Sequence, residues 1–254
     1  MQSLVVFLDL GGVIIEKEQQ IAQWNRLVGE YFVNLLGGTA EAWTAAHQVV
    51  STRLSNWEEG VGQAPADFVS FYRDYQLRRV RGMCELVGAP PPPEEECLQL
   101  AEEAIGSITS RIHAALPGAV EALRLLHQQG YPLHLASGAC SRELSGYLEA
   151  MGVRHYFRRL YGADVINTFK EGPAYYERLF ADVGIDPTEA VVVDDNLQAL
   201  HWAAQTGAQT VLISPLSPPE HPVMARRENP VHLPSLAHLL TWLNLRVPPG
   251  DQQG

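Results

Sequence analysis

The sequence predicts an α/β protein: a doubly wound parallel sheet interrupted once by an inserted α-helical unit. Three observations carry this expectation. Residues 4–8, Leu-Val-Val-Phe-Leu, form a continuous apolar run, the pattern of a strand buried on both faces of a parallel sheet. About 100 residues of helical periodicity without a convincing strand follow it. From Pro117 onward, short apolar strands alternate with amphipathic helices and short turns, the signature of repeated βα units.

The first strand ends in Asp9-Leu10-Gly11-Gly12-Val13. A carboxylate therefore stands at the C-terminal edge of a buried strand, beside glycines that let a ligand approach the main chain. Open α/β sheets bind their ligands at that edge, although an ordinary strand terminus with a turn reads the same way. Ile21, Trp24, Leu27, Val28, Tyr31, Phe32 and Leu35 then recur at steps of three and four, one face of a helix stopped by Gly37-Gly38. A second helix carries Trp43, Ala46, Val50 and Leu54. A third starts near Pro65 and carries Phe68, Phe71, Tyr72 and Tyr75. Prolines 90–93 form a rigid link, and Glu94-Glu95-Glu96 opens a fourth helix at the positive end of its dipole. The inserted unit is placed at 16–114. Within it Arg73, Arg78, Arg79 and Arg81 read either as a solvated helix face or as a positive patch facing an anionic substrate. Trp24, Trp43 and Trp57 are expected in the core rather than in a ligand cage.

The second half reads as helix 120–129, strand 133–136 ending in Ser137-Gly138, helix 141–151, a short strand at 160–163 and helix 175–183. Strand 190–193 follows, ending in Asp194-Asp195-Asn196, then helix 197–206 and strand 210–213. The proline-rich stretch 214–234 reads as a loop, and Leu236, Leu239, Leu240 and Leu243 as a last helix. The core is thus expected over 1–15 and 115–246, with a frayed tail at 247–254.

Composition narrows the function classes. The net charge of −11 argues against nucleic acid, whose affinity rests largely on basic contacts to phosphate. No apolar run reaches the roughly 18 residues of a membrane span. The first apolar run lacks a basic flank, so no signal peptide is expected. Cys84, Cys97 and Cys140 show neither zinc nor disulfide spacing. A soluble cytoplasmic protein fits these features. The chain has sixteen arginines but only two lysines, Lys17 and Lys170. Lys17, in the run Glu16-Lys17-Glu18, reads as a solvated surface residue. Lys170 stands in a loop among the strand ends, where a compact point charge differs from arginine's fork.

Asp9, Ser137 and Asp194-Asp195 all terminate strands of one parallel sheet, so they share an edge with Lys170 between them. Carboxylates sharing a pocket need a cation, and hard oxygen ligands suit Mg²⁺. A carboxylate nucleophile, a metal, a lysine and a hydroxyl suit phosphoryl transfer.

These residues resemble the haloacid dehalogenase-like superfamily. Val5-Val6-Phe7-Leu8-Asp9-Leu10-Gly11-Gly12-Val13 is similar to its first motif and Leu135-Ala136-Ser137-Gly138 to its second. Lys170 with Pro173 and Tyr176 matches the third, and Val192-Val193-Asp194-Asp195-Asn196 the fourth. The resemblance implies a Rossmann-like core with a helical cap domain, and a phosphatase acting on a small phosphorylated metabolite through an aspartyl-phosphate. It implies Asp9 as nucleophile, and Asp9, the Gly11 carbonyl and Asp195 as Mg²⁺ ligands, with Asp194 a further ligand or an acid just behind them. Ser137, with the neighbouring main chain of Gly138 and Gly12, would bind the phosphoryl group, and Lys170 would neutralise it. One departure stands out. Phosphatases of this superfamily usually carry a second aspartate two residues after the nucleophile, as general acid and base, where this chain has Gly11. Such help is worth about 10² to 10⁴-fold. The alternatives are a metal-free 2-haloacid dehalogenase and a non-catalytic phospho-ligand binder. Gly138, Asp194 and Asp195 count against the dehalogenase, and Gly11 favours the binder. Carbon–phosphorus cleavage would want a cap lysine, for which Lys17 is the candidate.

Overall fold

The computed structural model describes residues 4–60, 67–215 and 230–245, with the backbone alone described at 56–60. The expected tail at 247–254, the helix start at Pro65 and the side chain of Trp57 lie outside what is described. Among the described residues six strands form one sheet in the order β3-β2-β1-β4-β5-β6. They are β1 (Val5–Leu8), β2 (Leu133–Ala136), β3 (Phe157–Tyr161), β4 (Ala190–Asp194), β5 (Gln209–Ile213) and β6 (Val231–Leu233). Every pairing is parallel. This is the doubly wound order with its reversal point beside the first strand. The four residues of β1, the four of β2 and the five of β4 are all buried, which explains their unbroken apolar runs.

Two readings of the second half are corrected. The stretch 214–234 is not all loop: Val231–Leu233 adds a parallel edge strand, with Val211 opposite Val231 and Ile213 opposite Leu233. Three residues between prolines carry too little periodicity to read as a strand; pairing with β5 supplies the order. Likewise β3 begins at Phe157, three residues before the expected start. Arg158 and Arg159 point to solvent on this edge strand and interrupt its apolar run.

Between β1 and β2 lie helices α1 (Lys17–Leu36), α2 (Ala40–Gly60), α3 (Phe68–Val87) and α4 (Glu94–Thr109), followed by α5 (Ala119–Gln128). Helix α1 is amphipathic and buries Leu27, Val28 and Phe32. Phe32 stacks on Trp43 of α2 with ring centroids 5.2 Å apart, and the Trp43 indole N–H donates to the Gly37 carbonyl. Trp43 is thus core, as expected, whereas Trp24 is half-buried. The Asp67 side chain caps α3 by accepting from the N–H groups of Val69 and Ser70. The chain leaves the sheet and returns to it at one point. Ile15 and Ala115 form an antiparallel bridge, and the Glu16 N–H donates to the Ala114 carbonyl at 2.8 Å.

The remaining helices among the described residues are α6 (Ser141–Ala150), α7 (Pro173–Val183), α8 (Leu197–Gln205) and α9 (Leu239–Asn244). Among the described residues no helix is long and apolar enough to cross a membrane. All three cysteines are buried and unpaired.

Candidate active site

Register brings the strand ends together. Leu8 lies opposite Leu135 of β2 on one side and Val193 of β4 on the other. The next residues, Asp9, Ala136-Ser137 and Asp194, therefore emerge side by side at the C-terminal edge. The Asp9 N–H donates to the Val193 carbonyl at 2.9 Å, which fixes the base of its side chain.

Lys170 joins them. Its Nζ donates to Asp9 Oδ1 at 2.8 Å, to Asp194 Oδ2 at 2.7 Å and to the Ala136 carbonyl at 2.9 Å. All three donors of the ammonium are used. The lysine side chain is 10% exposed and those of Asp9 and Asp194 are 12% and 2% exposed. Burial penalises the Lys170 charge, but Asp9 and Asp194 outweigh it and hold the ammonium well above the ordinary lysine range. Burial pushes the Asp194 carboxyl up to about 6, against the pull of Lys170 and with a further push from Asp9. Asp194 Oδ1 accepts from the Asn196 N–H at 2.8 Å, while the Asn196 side chain caps α8.

Asp195 completes the cluster: Asp9, Asp194 and Asp195 each offer one oxygen, and these oxygens lie within 4.8 Å of one another. The carboxylate of Asp195 lies against Gly12. Gly12 has φ +78°, and a Cβ there would overlap that carboxylate, so both the backbone and the space require glycine. Its N–H already donates to the Ile15 carbonyl at 2.8 Å. An all-oxygen set of three convergent carboxylates is chemically suited to Mg²⁺.

Lys17 is a surface residue, as expected, with 54% of its side chain exposed, yet its ammonium reaches the site. From the first turn of α1 its Nζ reaches Asp195 Oδ2 at 2.5 Å. Its chain runs past Gly11, where an added Cβ would lie 2.9 Å from Lys17 Cε. Thus the volume beside residue 11, where the resemblance leads one to expect an acid, is filled by a lysine side chain. The helix that follows the first motif starts immediately, so its first residue folds back over the loop.

Ser137 sits one peptide beyond the Ala136 carbonyl held by Lys170. Its N–H is used on the Tyr161 carbonyl, and its hydroxyl has no partner among the described residues. The Tyr175 hydroxyl donates to the carbonyls of Tyr161 and Ser137. Asp164 accepts from the Ser141 N–H and hydroxyl at 2.7 and 2.6 Å and fixes the start of α6 behind Gly138. Neither Tyr175 nor Asp164 belonged to a readable motif.

The arginine cluster divides. Arg73 pairs with Glu94 and Glu95, Arg81 with Glu94, and Arg78 with Asp74. Arg79 instead turns inward and is 8% exposed. It lines a cavity of about 460 Å³ beside the strand ends, together with Trp24 and the aromatic face of α3. The aromatic residues of α3 were legible as a helix face, but the cavity they line was not.

A parallel, doubly wound sheet with an aspartate–lysine–aspartate cluster at its C-terminal edge defines an α/β core with its site at the strand ends. The description of the haloacid dehalogenase-like hydrolases matches residues 4–204, and the chain belongs to that family. It is 33% identical over 95 residues to a probable phosphatase, IndB, of Dickeya dadantii, covering 37% of this chain and 41% of that protein. It is 27% identical over 117 residues to a probable phosphoglycolate phosphatase of Pseudomonas putida, covering 46% of each. The chain spans about half the length of these curated relatives. The solved structure of the defluorinating L-2-haloacid dehalogenase Rha0230 shares the fold, with a TM-score of 0.63 over 95% of each chain at 18% identity.

Proposed function

We propose that the chain is a Mg²⁺-dependent phosphatase of a small phosphorylated metabolite, with 16–114 as a helical cap over the core and Asp9 as nucleophile. The observation that carries this reading is the Lys170 ammonium held at 2.8 Å from Asp9 Oδ1 and 2.7 Å from Asp194 Oδ2 in one buried cluster. Asp9 keeps its second oxygen clear of Lys170. That oxygen attacks phosphorus as the ester P–O bond breaks, and the leaving oxygen takes a proton from water. Water then cleaves the aspartyl-phosphate, releasing inorganic phosphate and restoring the carboxylate. Lys170 orients Asp9 and offsets the charge of the incoming phosphoryl group. The free Ser137 hydroxyl and the main chain at Gly138 receive phosphoryl oxygens, while Gly12 keeps the loop tight against Asp195. Asp9, Asp195, the Gly11 carbonyl and Asp194 would hold Mg²⁺, which supplies Lewis-acid stabilisation of phosphoryl charge when bound.

The test is a panel of phosphorylated metabolites assayed for phosphate release with Mg²⁺ and with EDTA, on the native protein and Asp9→Asn. Turnover that needs Mg²⁺ and disappears in the variant is expected. Halide release from a 2-haloacid in EDTA would replace this reading with the dehalogenase. Mg²⁺ binding without turnover of any ester would leave a phospho-ligand binder.

A further inference from the structure

The cavity beside the strand ends has a direction. Gly138 and Glu171, the neighbours of Ser137 and Lys170, belong to its lining, so one end adjoins the cluster. Phe169, one residue before Lys170, meets Phe68 and Phe71 of α3 edge-on, with centroids 5.0 and 5.1 Å away. The Val69 N–H also donates to Asn167 Oδ1 at 3.0 Å, fastening the start of α3 to the loop that carries Lys170. From there α3 presents Phe68, Phe71, Tyr72 and Tyr75 along one face, then Gln76 and Arg79. Eleven residues of helix separate Phe68 from Arg79, about 16 Å at the usual rise. The α3 face of the wall is therefore aromatic near the catalytic cluster and polar at its far end, with Glu171 beside the cluster.

The polar end is unsatisfied. Arg79 is 8% exposed yet makes no hydrogen bond or ion pair among the described residues. Gln76, 5% exposed, has a buried Oε1 without a partner, and the same holds for Nδ1 of buried His47. Glu143 of α6 accepts from the Tyr147 hydroxyl at 3.2 Å and shares this wall. The Arg79 guanidinium lines the cavity and acts on the Glu143 carboxyl through its charge, while the buried Gln76 amide oxygen is left unmet, which is costly. A ligand edge that offers acceptors to Arg79 and donors to Gln76 and Glu143 would engage all three. A volume of about 460 Å³ falls in the range of pockets that enclose a small organic ligand.

We propose that this cavity binds the organic body of the substrate, and that this body is a flat heteroaromatic ring whose polar edge meets Arg79 and Gln76. The location of the phosphate rests on the phosphatase reading; the ring assignment rests on the cavity wall. A nucleobase and a substituted pyridine share this chemistry.

The experiment measures kcat/KM of the native protein with Mg²⁺ for purine and pyrimidine nucleoside 5′-monophosphates and pyridoxal 5′-phosphate, against phosphoglycolate and glycerol 3-phosphate. At least one ring ester is expected to exceed both small esters by about tenfold or more, and the arms separate base from pyridine. In Arg79→Met, and separately in Gln76→Leu, KM for the favoured ring ester rises while the preference over phosphoglycolate shrinks. Circular dichroism and thermal melting establish that each variant is folded. Equal or better turnover of the small esters overturns the ring assignment and leaves the phosphatase reading intact. If no ester turns over, calorimetric titration of the same ring esters decides: binding to the native protein that is lost in both folded variants upholds the cavity without the phosphatase, and absence of binding overturns it.

Discussion

Lys17 Nζ lies 2.5 Å from Asp195 Oδ2, so the first residue of α1 is tied to the last acid of the site. The two are 178 positions apart in sequence. At the proposed Mg²⁺ site the lysine ammonium and the metal ion would draw on the same Asp195 carboxylate. Lys17→Gln is therefore expected to bind Mg²⁺ several-fold more tightly, since removing a nearby cation favours a second one. Titration calorimetry in the absence of substrate reads this directly. Unchanged or weaker Mg²⁺ binding would mean that Lys17 leaves Asp195 at no cost.

The same side chain governs what an acid at position 11 does. An aspartate there meets Lys17, whose flexible end can move aside. Gly11→Asp alone is expected to form an ion pair with Lys17 and to gain little. In Gly11→Asp with Lys17→Ala, the carboxyl is released as a general acid. The gain should be greatest for alkyl phosphates, whose leaving groups need protonation most, and smallest for aryl, sugar 1- and acyl phosphates. The check is kcat/KM against leaving-group pKa for the native protein and both variants. A flat dependence in the native protein would show that another group already serves as the acid.

Lys170 makes three short contacts to Asp9, Asp194 and the Ala136 carbonyl. A planar guanidinium cannot place three donors in that tripod. Lys170→Arg should lower kcat/KM by about 100-fold or more. Lys170→Met, which strands two buried carboxylates together, should cost about 3 kcal/mol of stability or more. Urea denaturation measures the second; near-native turnover of the arginine variant would show that positive charge alone suffices.

Gly12→Ala introduces a side chain at φ +78° and into the Asp195 carboxylate. The left-handed backbone alone costs about 1 kcal/mol, before Asp195 is displaced. A lower melting temperature together with weaker Mg²⁺ binding is expected. A melting temperature equal to that of the native protein would show that the loop re-forms at no cost.

His47 and His134 set an acid limit on stability. Burial lowers both to about 4; Arg79 adds to this at His47, while at His134 Arg158 and Arg159 add and Asp182 opposes. Between that value and the ordinary histidine range near 6.5, the unfolded chain binds more protons than the folded one. Their contribution is complete above about pH 6.5 and is lost as pH falls toward 4, at most about 3 kcal/mol for each. His134 stacks on Phe7 with centroids 5.2 Å apart, so His134→Phe preserves the contact and should flatten the pH dependence of the denaturation midpoint across that window. An unchanged slope would assign the acid sensitivity to other groups.

The sequence alone determined the parallel core and the identity of its strand-end residues. Strands buried on both faces must be apolar throughout, so β1, β2 and β4 stand out, and any polar residue at their ends is conspicuous. Asp9, Ser137, Asp194 and Asp195 are legible for that reason, and Lys170 because it is one of two lysines in the chain. The tertiary structure decided what no local pattern encodes. Edge strand β6 is too short for periodicity and owes its order to β5. Lys17 looks like any charged residue of a first helical turn until the fold brings Asp195 beneath it. Arg79 shares its sequence neighbourhood with three surface arginines, and only the tertiary packing of α3 turns it toward Glu143 and His47. Periodicity reports which face of a helix is covered; what covers it depends on chain segments distant in sequence.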